Sequence, residues 1–157
     1  MKVDIALCGG GLQSGLIIAA LHGYVIGSGV EMALLCDLRI ASEDVTFGLP
    51  EAALGMLPAA GGTQSLPRTV GLSEAVKMLL SNEHMGAVEA LEVGLVHRVV
   101  SKDILLREAF DLAKQIAGHS AHLLKATKEA MTRGLEMPLE RALELELRLA
   151  ATAMSAN

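Results

Sequence analysis

The sequence predicts an α/β fold, strand-rich over its first hundred residues and helical after that. Three observations carry the prediction. Short strand-like segments at residues 3–7, 16–21, 37–41 and 45–48 are separated by glycine or polar turns. From Ser73 onward the apolar residues recur mostly at helical spacing. The chain has 157 residues, 52% hydrophobic and 20% charged, which suits one buried core and excludes disorder. A single domain over 1–157 is expected, with a core at 16–100 and a helical region at 101–157.

In order along the chain, residues 3–7 read as a short buried strand closed by Cys8-Gly-Gly-Gly11. Residues 16–21 are a second apolar run ending at His22-Gly23. Gly27-Ser28-Gly29 opens a short helix through Val30, Ala33 and Leu34. Two brief strands, 37–41 and 45–48, flank the turn Ser42-Glu43-Asp44. Residues 50–62 are loop-rich, with Pro58 and Gly61-Gly62 as breakers.

Ser73 is expected to cap a helix running to Ser81. A short helix at 87–93 then precedes a strand at 95–100. A helix at 102–117 stops at Gly118, and Ser120 is expected to N-cap a helix at 121–133 that Gly134 ends. The last segment, 139–154, alternates leucine with charge as a strand would. Pro138 at an N1 position and strong helix formers throughout decide it as a helix. Its wide apolar face suits packing between two surfaces.

Charge and composition exclude several functions. Thirteen basic against eighteen acidic residues give a net charge of −5, and aromatics are 2%, a poor fit to a nucleic-acid-binding module. Cys8 and Cys36 are too few for a disulfide framework or a cysteine-rich zinc site, which suits a reducing, cytoplasmic setting. Residues 5–30 carry no charge and are long enough to span a bilayer. Seven glycines in that stretch, each costing a helix roughly 1 kcal/mol, argue against a span. Asp4 and the lack of an A-x-A site argue against a signal peptide.

Three local patterns suggest chemistry only weakly. Gly118-His-Ser-Ala-His122 misses the final glycine of a nucleophile elbow. His119 and His122 lack a third metal ligand nearby, so no metal site is expected. Gly9, Gly11 and Gly15 after a strand resemble a dinucleotide-binding turn, with Glu31 twenty residues beyond Gly11 as the ribose acid. Ser14 occupies that fingerprint's third glycine position. A flavin- or NAD-binding Rossmann protein and a plain structural turn both remain open for this stretch.

A longer signal starts at residue 17. Ile-Ile-Ala-Ala-Leu-His-Gly23-Tyr-Val-Ile-Gly27-Ser28-Gly29-Val-Glu31-Met-Ala-Leu-Leu-Cys-Asp37 resembles the signature of the enoyl-CoA hydratase/isomerase (crotonase) family. Phe47-Gly-Leu49-Pro-Glu51, the run from Gly55 to Arg68 containing Pro58 and Gly61-Gly62, and residues 87–100 resemble that family's next blocks, in order and at matching spacing. The resemblance covers about 140 residues, judged by the same length reckoning.

The resemblance implies a crotonase-type α/β fold: a shortened β-spiral core followed by a helical C-terminal region. It also implies addition of water to an α,β-unsaturated acyl-CoA. Such a reaction needs one group to activate water and another to protonate the α-carbon, work that two carboxyls can share. By resemblance, Glu31 is the base and Glu51 the acid. The Ser28 N–H is an oxyanion donor, and Gly27, Gly29, Leu49, Pro58 and Gly61 contact substrate. No cofactor is implied beyond the coenzyme A of the substrate, and a homotrimer or hexamer is expected. An isomerase of the same family and a non-catalytic assembly subunit are the alternatives. The family pattern has glycine at Ser28 and Ala59, a long N-terminal half before the signature and one further C-terminal helix. The chain is therefore expected to be a truncated or start-altered member and at best a feeble hydratase.

Overall fold

A computed structural model describes the backbone of residues 3–8 and all of residues 15–155. The glycine turn read at 9–11, and most of the dinucleotide-binding pattern, lie outside the described residues. Seven strands and seven α-helices are described. They begin β1 (Val3–Cys8), β2 (Leu16–Leu21), β3 (Tyr24–Ile26), α1 (Ser28–Leu34), β4 (Leu38–Ser42) and β5 (Thr46–Gly48). A 3-10 turn (Pro50–Leu54) leads to α2 (Gly62–Val70), α3 (Leu72–Leu80), β6 (Met85–Gly86), α4 (Ala87–Glu92) and β7 (Arg98–Val100). Three helices follow: α5 (Leu105–Ala117), α6 (Ala121–Gly134) and α7 (Leu139–Ser155).

The described residues fall into two compact units. The first contains Ile17–Leu112 and the start of β1; the second contains Ala113 onward together with Gly15 and Leu16.

In the first unit the chain passes twice between two sheets. One sheet has the order β1-β2-β4-β7 and the other β3-β5-β6. β2 lies parallel to β4 with Ile18 opposite Leu38, and β3 lies parallel to β5 with Tyr24 opposite Thr46. The chain thus steps from one sheet to the other at His22-Gly23 and again at 43–45. These two corners stack: Thr46 donates its N–H to Gly23 O at 2.7 Å, and Ser42 Oγ donates to Leu21 O at 3.4 Å. Parallel strands covered on both faces call for continuous apolar runs, and Ile18 to Leu21 are all buried. Val25, Val30, Phe47, Leu49, Leu66 and Met78 extend this core.

The structure corrects five local expectations. Gly62–Val70 is an additional helix, formed with Pro67 inside it, and Gly71 at φ +84° separates it from α3. That glycine makes Leu72 the first residue of α3, so Ser73 is not its cap. β7 is confined to Arg98–Val100, since the preceding residues carry the bonds Val96 N–H to Ala90 O and His97 N–H to Arg39 O. Residues 101–104 form a turn, through Ile104 N–H to Ser101 O, and α5 starts at Leu105. Ser120 occupies the N-cap position of α6, but its side chain makes no capping bond; its carbonyl accepts Leu124 N–H at 3.0 Å.

Candidate active site

The site is built where α1 begins. Gly27 precedes the helix at φ +58°, ψ −123°, a conformation open to glycine and strained for other residues. Its N–H donates to Gly48 O at 2.8 Å, joining the start of α1 to the end of β5. Its carbonyl accepts Val30 N–H at 2.9 Å and Glu31 N–H at 3.3 Å. Ser28 is the first residue of α1, so its N–H has no acceptor one turn back within the helix. Asn82 is the one non-glycine residue at positive φ among those described, so the side chain of Ser28 imposes no left-handed strain. Gly29 is buried within the first turn.

Glu31 lies in that first turn and is only 5% exposed. Its Oε1 accepts two main-chain donors, Ala60 N–H at 2.8 Å and Gly62 N–H at 2.9 Å. Gly62 opens α2, and its preceding Gly61 (φ +102°) has no side chain to cap that helix. A carboxylate from α1 supplies the missing acceptor, and the positive end of α2 favours its negative charge. Gly62 also leaves the space: a Cβ there would meet Glu31 Oε1 at 3.1 Å, Glu31 Cγ at 3.2 Å and Pro58 Cβ at 3.1 Å. Oε2 of Glu31 takes no hydrogen bond among the described residues.

Glu51 stands at the start of the 3-10 turn, after the fully buried Leu49. Its Oε1 lies 2.9 Å from where a Cβ of Gly27 would be. Its Oε2 is sealed from solvent without a partner among the described residues. The fold therefore brings both acidic side chains to the N-terminal turn of α1, Glu51 against Gly27 and Glu31 four residues later. Pro58 is buried beside Gly62, and Gly61 caps α2. Leu49 belongs to the hydrophobic core. The dual anchor of Glu31 by Ala60 and Gly62 was not read from the sequence; the glycine pair Gly61-Gly62 where α2 begins was its one trace.

This arrangement can do acid–base work. One carboxyl is anchored through Oε1 by two main-chain N–H donors, with its second oxygen left for a reacting group. The other carboxyl turns one oxygen into a sealed space where no described residue donates to it. Among the described residues, no group of three metal-ligating side chains comes together, His119 and His122 included.

Comparison with known proteins gives the family. The family model described as "Enoyl-CoA hydratase/isomerase" matches residues 13–157. The chain belongs to the enoyl-CoA hydratase/isomerase family. It is 47% identical over 133 residues to the 2,3-dehydroadipyl-CoA hydratase of Escherichia coli K12, covering 85% of this chain and 52% of that protein. It is 38% identical over 141 residues to the mitochondrial enoyl-CoA hydratase of Pongo abelii, covering 90% and 49%. Among solved structures, the enoyl-CoA hydratase of Bacillus anthracis superimposes with a TM-score of 0.83 at 37% identity, covering 85% of this chain and 52% of that one. Pseudomonas aeruginosa DspI does so at 0.85 and 39%, covering 89% and 57%. The fold is thus of the crotonase type, and the chain spans about half the length of the curated relatives it matches.

Proposed function

We propose that the protein hydrates an α,β-unsaturated acyl-CoA thioester, with Glu31 as the base that activates water and Glu51 as the acid that protonates the α-carbon. The observation that carries this reading is the asymmetry of the two carboxyls. Glu31 Oε1 is anchored by Ala60 and Gly62 while Oε2 remains free to take a proton from water. Glu51 Oε2, buried and unpartnered, suits the opposite role. The Ser28 N–H, at the positive end of α1, is the donor for the enolate oxygen. Gly27, Gly29, Pro58 and Gly61 border the thioester, and Leu49 backs the wall behind it. The hydratase names of the relatives favour hydration over isomerisation. No cofactor is required beyond the coenzyme A of the substrate.

The same reading makes the protein a homotrimer or hexamer working in the cytoplasm. The second unit supports assembly: Leu135, Leu139, Leu143, Leu147 and Met154 are exposed, and α6 and α7 border an apolar cavity of about 300 Å³. Large exposed apolar patches are rare on monomers. Among the described residues, no helix is long and apolar enough to cross a membrane.

The test is hydration of crotonyl-CoA by the purified chain. Product formation that is lost in Glu51→Gln supports the proposal. A chain that binds a coenzyme A resin but never hydrates is the assembly subunit instead, and double-bond migration without water addition identifies an isomerase.

A further inference from the structure

Arg39 is a buried cation that the acid–base scheme leaves unused. Only 7% of it is exposed, and its described side-chain hydrogen bonds all go to main-chain carbonyls. Nε donates to Leu95 O at 2.6 Å, and Nη1 donates to Cys36 O at 2.7 Å and to Ala33 O at 3.5 Å. Its backbone is fixed as well: Arg39 N–H donates to His97 Nδ1 at 3.1 Å, and Arg39 O accepts His97 N–H at 2.9 Å.

Burying a guanidinium is costly, and a well-packed apolar residue often holds a strand at least as well. What an apolar residue cannot do is grip carbonyls. Ala33 lies in the last turn of α1 and Cys36 just beyond it, at the helix's negative end, where a cation is favoured. The other end of this seven-residue helix carries Ser28 and Glu31. Such a helix is about 10 Å long. A tilt of about 10° would move its far end by about 2 Å, and a misplacement of about 1 Å costs a reaction on the order of a hundredfold.

We propose that Arg39 is a positioning residue: by tying the C-terminal carbonyls of α1 to Leu95 it sets the location of Glu31 and the Ser28 N–H. Its kinetic consequence rests on the hydratase reading above, whereas its structural consequence does not. Glu31 is bonded to the Ala60 and Gly62 amides, and neither residue shares a described hydrogen bond with Arg39. Those two amides therefore report on the position of Glu31 independently of turnover.

The experiment compares the 157-residue chain with Arg39→Met and Arg39→Lys at a temperature where each is fully folded. Amide hydrogen exchange and crotonyl-CoA hydration are both measured. In Arg39→Met, the Ala60 and Gly62 amides should lose about tenfold in protection relative to amides of β2. The kcat should fall on the order of a hundredfold with KM within about twofold. Arg39→Lys, which keeps the charge and can reach one carbonyl, should recover part of both. Wild-type protection and wild-type kcat in a folded Arg39→Met would overturn the proposal, as would a loss of protection spread evenly over the first unit. If Arg39→Met does not fold, Arg39→Lys decides by the same two readouts. Should the wild-type chain not hydrate, the hydratase reading fails, and the amides alone judge Arg39.

Discussion

The carboxylate of Glu31 accepts the N–H of Gly62 at 2.9 Å, so a side chain from α1 caps the helix that begins at Gly62. The same Oε1 accepts Ala60 N–H at 2.8 Å. This bond pair makes the candidate base a structural residue too, which separates two substitutions that are usually grouped. Glu31→Gln keeps an oxygen able to accept both donors. Glu31→Ala leaves two N–H groups without an acceptor, at about 1–3 kcal/mol each. Thermal unfolding should show Glu31→Ala less stable than Glu31→Gln by about 2 kcal/mol or more. Equal melting of the two variants would mean that the two hydrogen bonds contribute nothing.

Gly27→Ala should disable the site through geometry while leaving both carboxyls present. The added Cβ would stand 2.9 Å from Glu51 Oε1, at a φ of +58° that alanine tolerates poorly. The expected cost is about 1 kcal/mol or more in stability, with hydration falling on the order of a hundredfold. Unfolding curves and hydration assays on the same sample check both. Ser28→Gly, by contrast, should change the rate little, because the donor is main-chain and Ser28 is not at positive φ.

Acid should weaken the fold in two separate steps. His97 Nδ1 accepts the Arg39 N–H, and burial first, then the Arg39 charge, lower its pKa below the usual 6.5. The neutral form is favoured in the folded state, so stability is complete above about pH 6.5 and declines as pH falls through the folded value. Asp44 bonds Lys102 Nζ at 2.6 Å and also the Ser42 hydroxyl, which hold it at about 2 against an ordinary 3.8. Its contribution is present above about pH 3.8 and is lost as pH falls towards about 2. Denaturant midpoints from pH 7 to 2 should fall in both windows. Asp44→Asn should flatten only the lower one, and an unchanged lower window in that variant would refute its assignment.

Assembly is testable through α7. Leu139 and Leu147 are 73% and 71% exposed in the isolated chain and lie on one helix eight residues apart. Light scattering at micromolar concentration should report an oligomer that Leu139→Glu with Leu147→Glu dissociates. A clean monomer in the unmodified chain would contradict the assembly proposal.

Much of this fold was legible because local chemistry and tertiary context agree. β2 is a continuous apolar run that needs cover on both faces, and it is covered. α1 follows the Gly27-Ser28-Gly29 break as read. The helix Gly62–Val70 was missed because Pro67 and two leading glycines argue locally against it; its N-terminus is completed by Glu31, thirty-one residues earlier in the chain. β3 and β6 were invisible for a related reason. At three and two residues they carry no period of their own and exist through pairing with β5. Glu31 and Glu51 stood out in the sequence, but the Ala60 and Gly62 anchors are backbone groups, and only the glycine at 62, which leaves room for the Glu31 carboxylate, marks them in residue type.

The most direct measurement is a double-mutant cycle on crotonyl-CoA hydration with Glu31→Gln, Glu51→Gln and both together, each variant first shown to be folded. Residues that act as one unit lose their effect together, so each single change should lower kcat on the order of a hundredfold or more. The double variant should then be scarcely slower than the worse single one. Hydration that survives both substitutions, or losses that simply multiply, would contradict a shared acid–base role for Glu31 and Glu51.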